Sequence, residues 1–294
     1  MYCWGDIRIL VSIITPSFNQ GQFIERTILS VKNQNYHNVE HIIFDNNSND
    51  QTSRILKKYK NSIIYKIEAD RGQSDAINKG FKSAKGDIIG WLNSDDIYHP
   101  NILKSVVEYF TNNPSVVALY GDANHIDVND KQINYYDTED WNTERLKEVC
   151  FICQPSLFFR REIFSNIGYL NEDLHFCMDY EFWIRFAKQN LYVCKMNLLI
   201  AGSRLYEENK TLGSRLKVHI EINDMLRRRY KFTPDKWIFN YAHVKTDELG
   251  IKRENKYVYL FFILIFTLYA SLRWNKKISK QFIFLAFKLY GIIK

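Results

Sequence analysis

Neither of the common glycine-rich phosphate cradles, GxGxxG or GxxxxGK[ST], follows the first apolar run of this 294-residue chain. Any phosphate it binds must therefore be neutralised by other means. Cysteine is sparse: Cys3, Cys150, Cys153, Cys177 and Cys194 are an odd number in a long chain, which argues against a disulfide framework. The N-terminal MYCWGDIRIL has neither the basic flank nor the apolar stretch of a secretory leader. Together these absences set the expectation of a reducing cytoplasm. Cys150 and Cys153 form a CxxC with His175 and Cys177 downstream, a zinc-like set, but the intervening Phe151 and Ile152 favour a strand packed into a core. Positive charge is missing from the body of the chain. Residues 251–294 hold nine Lys or Arg and one acid, a balance of +8 out of a net +7, so the first 250 residues stand at −1. With no basic, aromatic-interleaved patch before residue 226, no nucleic-acid partner is expected. Arg227, Arg228 and Arg229 read as the solvated end of a helix from about Ser214 to Tyr230.

What is present is a large core. At 46% hydrophobic and 25% charged residues, the chain suits one domain, or one domain with an appendage. Its first hundred residues alternate strand and helix signals: ILVSIITP, FIERTILSVKNQ, VEHIIFD, SRILKKYK, SIIYKIEA, DAINKGFKSA and DIIGWL. That alternation predicts a parallel sheet with helices on both faces, each strand an Ile/Val-rich run covered on both sides. Ligands then bind beyond the carboxyl ends of the strands, at TPSFNQGQ, DNNSND, ADRGQSD and NSDD.

The last of these loops contains two adjacent acids, Asp95 and Asp96. Two carboxylates about 4 Å apart repel by roughly 4 kcal/mol at an effective dielectric near 20. A turn or helix cap would accommodate them, although Pro100 suits a first helical position and puts the cap at His99, too late for the pair. The alternative is a site for a hard divalent cation, Mg2+ or Mn2+, which prefers one or two carboxylates together with substrate phosphate oxygens.

The stretches VSIITPSFNQGQFIERTILSVKNQNY, HIIFDNNSNDQT, DRGQSDAINKGFKSAKGDIIGWLNSDD, QPSLFFRREIFSNIGYL and MDYEFWIRFAK, in that order from about residue 9 to 212, resemble the inverting nucleotide-sugar glycosyltransferases of family 2. The resemblance implies the A-type glycosyltransferase fold, a Rossmann-like mixed sheet with helices on both faces, here with a C-terminal helical extension. It divides the chain into a catalytic domain over 1–212, with a nucleotide-binding half 9–98 and an acceptor half 99–212, followed by an extension over 213–294. It places Pro16 and Phe18 at the base, and Asp45 and Asn46 at the nucleoside, where Asn46 replaces a common second acid and an amide still accepts from a uracil N–H. Arg71, Asp75 and Asn93 fall near the nucleotide, Asp95 at the ribose or metal, and Asp96 as the direct ligand of Mg2+ or Mn2+. Asp179 is implied as the base that takes the acceptor proton, with Glu181 as its runner-up, and Gln154 and Pro155 as the floor of the acceptor site. Core packing for Phe18, surface or capping roles for Arg71 and Asp75, and a helix N-cap for Asp179 are the alternatives from the residues alone. In SRLYEENKT, Tyr206 stands where the family often has His, and Arg204 and Lys210 are either phosphate contacts or members of a solvated loop.

The resemblance implies transfer of a sugar, from a UDP-sugar first of all, to a glycan or lipid-linked acceptor in cell-surface polysaccharide synthesis, with specificity in the segment from about Tyr120 to Val149. A polyprenyl-phosphate sugar synthase and a non-catalytic nucleotide-sugar-binding protein are the alternatives. Loss of an acid would favour the latter, and Asp45, Asp95, Asp96 and Asp179 are all present. In the tail, sixteen uncharged residues run from Tyr257 to Leu272, with Lys and Arg on both sides, and QFIFLAFKLYGIIK follows. Sixteen is short for a bilayer span. Flanking cations favour a peripheral anchor from about residue 251 at the cytoplasmic membrane face, removable by ending the chain at Gly250; a soluble helical hairpin is the alternative.

Overall fold

The computed structural model describes residues 9–207, 212–278 and 282–284. Cys3, Lys210, Lys280 and nearly all of the second apolar stretch of the tail lie outside them. In chain order the elements are β1 (Val11–Ser17), α1 (Ile24–Lys32), β2 (Val39–Asp45), α2 (Thr52–Lys58), β3 (Ile64–Ile67), α3 (Gln73–Ser83), β4 (Ile88–Trp91), β5 (Ile97–Tyr98), α4 (Ile102–Asn112), β6 (Ala118–Ile126), β7 (Gln132–Tyr135), α5 (Arg145–Glu148), β8 (Leu157–Arg160), α6 (Ile163–Ile167), α7 (Met178–Lys188), β9 (Val193–Arg204), α8 (Arg215–Tyr230), α9 (Asp235–Glu248) and α10 (Lys256–Ala270).

Nine strands form one mixed sheet in the order β3-β2-β1-β4-β8-β6-β9-β5, with β7 paired to β6. The first four are parallel, as their helical crossovers demand, and Ser17, Asp45 and Ile67 lie level with one another at one edge. Strand β8 then runs antiparallel to both β4 and β6, and β9 returns parallel to β6. β1 is buried at every residue and β4 likewise, so continuous apolar runs are what these positions require.

Three sequence expectations change. Strand β3 closes the sheet edge and is not covered on both faces: Ile64 and Ile67 are 51% and 38% exposed. Pro100 is not the first residue of a helix, because α4 starts two residues later behind Asn101, whose φ of 65° is left-handed. The helix cap comes from the buried Gln34 instead. Its Oε1 accepts from Ile102 N and Leu103 N at 2.9 and 3.3 Å, while Nε2 donates to Ser30 O and His99 O. The Cys150–Cys153 segment enters the core without forming a strand; Phe151 and Ile152 are fully buried there, just before a 3-10 turn over Gln154–Ser156.

Backbone contacts divide the chain into two units, one of residues 1–143 and 150–206, the other of residues 144–149 and 207–294. The second takes in the short α5, which lies within the acceptor half of the sequence reading. In it, Ile238 and Tyr241 of α9 pack with Ala270 and Trp274, and Ala242 packs with Tyr259 and Ile263 of α10. Helix α10 continues as a π-helical turn over Ser271–Asn275, so the helical stretch reaches 20 residues at a mean hydropathy of 1.5, long and apolar enough to cross a bilayer by length and composition. Of its buried side chains, Ile263 contributes about 1.5–3 kcal/mol. Ending the chain at Gly250 would strip that cover from α9.

Candidate active site

The four polar loops that follow β1 to β4 meet at the carboxyl edge of the parallel strands. The first two are laced together: Asn19 N donates to Ser48 Oγ, Asn49 N to Asn19 Oδ1, and Gly21 N to Asp50 Oδ2. Phe18 projects from this lacing 57% exposed, which excludes core packing, whereas Pro16 is buried within β1. Asp45 is fully buried at the end of β2, its two oxygens accepting from Ser48 N and Ser48 Oγ at 2.9 and 2.6 Å. Asn46 Oδ1 accepts from Asp70 N at 3.1 Å, tying the second loop to the third. That third loop turns at Gly72, whose φ of 125° favours glycine. Asp75 then accepts from Arg71 N at 3.0 Å, and the exposed Arg71 guanidinium pairs with Asp75 and Glu172.

The two acids after β4 do occupy a turn, closed by Asp96 N donating to Asn93 O at 3.1 Å. It is a turn withdrawn from water. Asp96 is 4% exposed; Oδ1 accepts from Arg204 N at 2.8 Å and Oδ2 from Asn93 Nδ2 at 3.3 Å. Thr27 of α1 places its hydroxyl 2.9 and 2.8 Å from the carbonyls of Ser94 and Asp96. Asn93 is the hub of the network, since Oδ1 accepts from Gln73 Nε2 and Trp91 Nε1 while Nδ2 also donates to Gln154 Oε1. Gln154 donates in turn to Trp91 O at 2.6 Å, and the buried Pro155 follows it in the 3-10 turn. Burial, and after it the adjacent Asp95, push the Asp96 carboxyl well above the usual carboxylate range. Burial likewise raises Asp95, against the pull of its hydrogen bond from Tyr206.

Arg204 does not lie in a solvated loop. Its side chain is fully buried, with Nε donating to Asp95 O at 2.7 Å and the guanidinium bound to Asp127 O and Asp130, and Cζ stands 4.6 Å over the Phe23 ring. Tyr206 closes the same stack, 5.0 Å from Phe23 between centroids. Its hydroxyl accepts from Gln20 Nε2 at 3.3 Å and donates to Asp95 Oδ2.

Asp179 and Glu181 both fall in the first turn of α7, yet their settings differ. Glu181 is 1% exposed and ion-paired to Arg185 at 3.1 Å, while Asp179 is half-buried. Cys153, just before Gln154, is buried, and desolvation above all pushes its thiol well up.

Among the described residues no group of three or more metal-ligating side chains forms. The donor set nevertheless fits a hard cation: two adjacent carboxylates, Asp96 buried and Asp95 partly so, need positive charge, and substrate phosphate oxygens would complete the shell. Sequence reasoning missed Thr27 and Gln73. Gln73 alone had a local signal, its place in the DRGQSD loop.

The chain matches the family described as Glycosyl transferase family 2 over residues 12–168. An uncharacterised glycosyltransferase of Rickettsia typhi is 26% identical over 216 residues, 69% of this chain and 66% of the relative. Chondroitin synthase of Escherichia coli is 27% identical over 237 residues, 76% of this chain and 34% of the relative. The chain thus spans about two thirds of the first and one third of the second. Among solved structures, S. aureus TarS 1-349 in complex with UDP-GlcNAc has a TM-score of 0.59 at 16% identity, covering 94% of this chain and 84% of that one. The mannosyltransferase PcManGT from Pyrobaculum calidifontis, in complex with GDP-Man and Mn2+, has a TM-score of 0.61 at 14% identity, covering 98% and 81%. The mixed sheet and its helices are the A-type glycosyltransferase fold these structures share, and the chain is a member of glycosyl transferase family 2.

Proposed function

We propose that this family 2 enzyme transfers a sugar, with inversion, from a nucleotide diphosphate sugar to a hydroxyl of a glycan or lipid-linked acceptor in cell-surface polysaccharide synthesis. The observation that carries the reading is the Asp95–Asp96 turn at the carboxyl end of β4, with Asp96 buried and joined through Asn93 to Gln154. A site with an anion-rich wall and a separate half-buried carboxylate suits in-line displacement. Asp179 accepts the acceptor proton as the hydroxyl oxygen bonds to the anomeric carbon, opposite the diphosphate. The carbon–oxygen bond to the diphosphate breaks, and its electron pair leaves with the nucleoside diphosphate. Asp95 and Asp96 would hold Mg2+ or Mn2+, whose chemistry is to neutralise charge on the departing diphosphate. Phe18, exposed beside the Asn46 loop, offers a stacking face for the base, with Arg71 and Asp75 bordering the nucleotide and Gln154 and Pro155 the acceptor. The burial of Glu181 against Arg185 favours Asp179 over it as the base.

Relatives bound to UDP-GlcNAc or to GDP-Man with Mn2+ set the first donors to try, a UDP-sugar ahead of a GDP-sugar. A donor at a hundredfold its dissociation constant should stabilise the fold by about 2.7 kcal/mol. Thermal shift against a nucleotide-sugar panel, with Mn2+ and with EDTA, followed by product anomer analysis on glycan and polyprenyl-phosphate acceptors, tests the reading. Undiminished turnover in excess EDTA removes the cation from it, and retention at the anomeric carbon removes Asp179 as a simple base.

A further inference from the structure

Helix α10 is apolar on two opposite faces, and only one is covered. Tyr259, Ile263, Thr267 and Ala270, with Trp274 beyond the helix end, are buried toward the rest of the second unit. At 3.6 residues per turn, Tyr257, Val258, Phe261, Ile265, Tyr269 and Leu272 fall within an arc of about 120° on the other side. Each is between 43% and 64% exposed. Scattered exposed hydrophobics are ordinary, but a continuous stripe on one helix marks an interaction surface. Cations bracket it: Lys252, Arg253 and Lys256 precede the stripe, Arg273, Lys276 and Lys277 follow it, and Glu254 is the one acid in residues 251–294.

The covered face is held by polar anchors as well as by packing. Tyr259 Oη donates to Asp247 Oδ1 at 2.9 Å and lies 3.0 Å from His243 Nδ1. Trp274 Nε1 donates to Asp224 Oδ1 at 2.7 Å, and Asn275 exchanges two hydrogen bonds with the backbone of Thr233. A helix that crossed a bilayer would forfeit all of them and carry Arg273 with it.

We propose that α10 is an in-plane docking surface for an anionic lipid bilayer, its exposed stripe entering the boundary between headgroups and acyl chains while the inner face stays on α9. The bracketing cations meet lipid phosphates at either end of the stripe. A second copy of the chain fits worse as the occupant, because pairing two stripes in either direction sets cations against cations.

The test mixes full-length protein with vesicles of phosphatidylcholine alone and of phosphatidylcholine with phosphatidylglycerol, and reads the bound fraction by flotation. Binding to the anionic vesicles at low salt, weakening at high salt and release by alkaline carbonate are the expected results. Phe261→Asp with Ile265→Asp should lower the partition coefficient by about tenfold or more, and Lys276→Glu with Lys277→Glu should weaken binding to anionic vesicles alone. Metal-dependent stabilisation by a nucleotide sugar, together with the thermal midpoint, reports folding of each variant, and Phe261→Ser with Ile265→Ser replaces the Asp pair if that pair fails to fold. Absence of binding to anionic vesicles at low salt overturns the proposal. So does retention after carbonate, which indicates a spanning helix, or a dimer dissolved by the stripe variants in a protein that ignores vesicles.

Discussion

Tyr206 Oη donates to Asp95 Oδ2 at 2.9 Å, and this bond crosses 111 positions of the chain to reach the acid turn. A hydrogen bond to a charged group is worth about 1.5–3 kcal/mol. Tyr206→Phe keeps the ring against Phe23 and removes that bond together with the longer one accepted from Gln20 Nε2. It should weaken metal-dependent nucleotide binding by roughly tenfold or somewhat more, by calorimetry, with the thermal midpoint of the protein alone little changed. Unaltered affinity would make the phenol irrelevant to Asp95.

Asp179 and Glu181 separate by what each variant loses. Asp179→Asn should bind donor and cation normally while kcat falls by about a hundredfold to ten-thousandfold. Glu181→Gln leaves Arg185 without its buried ionic partner, so the thermal midpoint should drop, by the equivalent of about 3 kcal/mol, with kcat near wild type at low temperature. A dead but stable Glu181→Gln beside an active Asp179→Asn would reverse the assignment.

Removing Arg204 should hurt stability first. Its buried guanidinium braces Asp95 O, Asp127 O and Asp130, so Arg204→Ala should cost about 3–5 kcal/mol in chemical denaturation. Arg204→Lys should recover little, because an ammonium cannot reproduce the fork or the stacking on Phe23. A Lys variant as stable as wild type would show that charge alone suffices.

His41 supplies an acid-sensitive element away from the site. Burial lowers its pKa from the ordinary 6.5 to about 3, and the ring sits 2.9 Å from Thr15 Oγ1 in the sheet. The folded state therefore binds fewer protons than the unfolded one between these values. Its contribution is fully present above about pH 6.5 and is lost as pH falls toward 3, at up to about 1.4 kcal/mol per pH unit. His41→Gln should flatten that limb in urea titrations; an unchanged slope would assign it to the carboxylates.

The sheet was legible because Ile and Val runs alternate with amphipathic ones, and α8 was legible because its basic last turn announces a helix C-terminus. Cross-strand partners were not. Nothing local in VKNQNY says that Gln34 caps a helix 68 residues later, or in SRLYEENKT that Arg204 points inward, since both are decided by what the sheet brings alongside. The exposure of Ile64 was hidden for the same reason: an edge strand and a central strand share a composition until pairing order is known. At the candidate site, sequence marks Asp95 and Asp96 as an unusual pair, but their burial depends on Thr27, Arg204 and Tyr206, none of them near in sequence.

The acid turn leaves β4 in the middle of the sheet and enters β5, which waits at the far end of the strand order for β9. Arg204 N and Tyr206 Oη reach the two acids only once that last strand is in place. Closing so long a loop is slow and comes after local pairing. Donor binding should thus be a late event in folding, absent from a nascent chain until Tyr206 has cleared the ribosome, so that acquiring ligand affinity doubles as a signal that the catalytic sheet is complete.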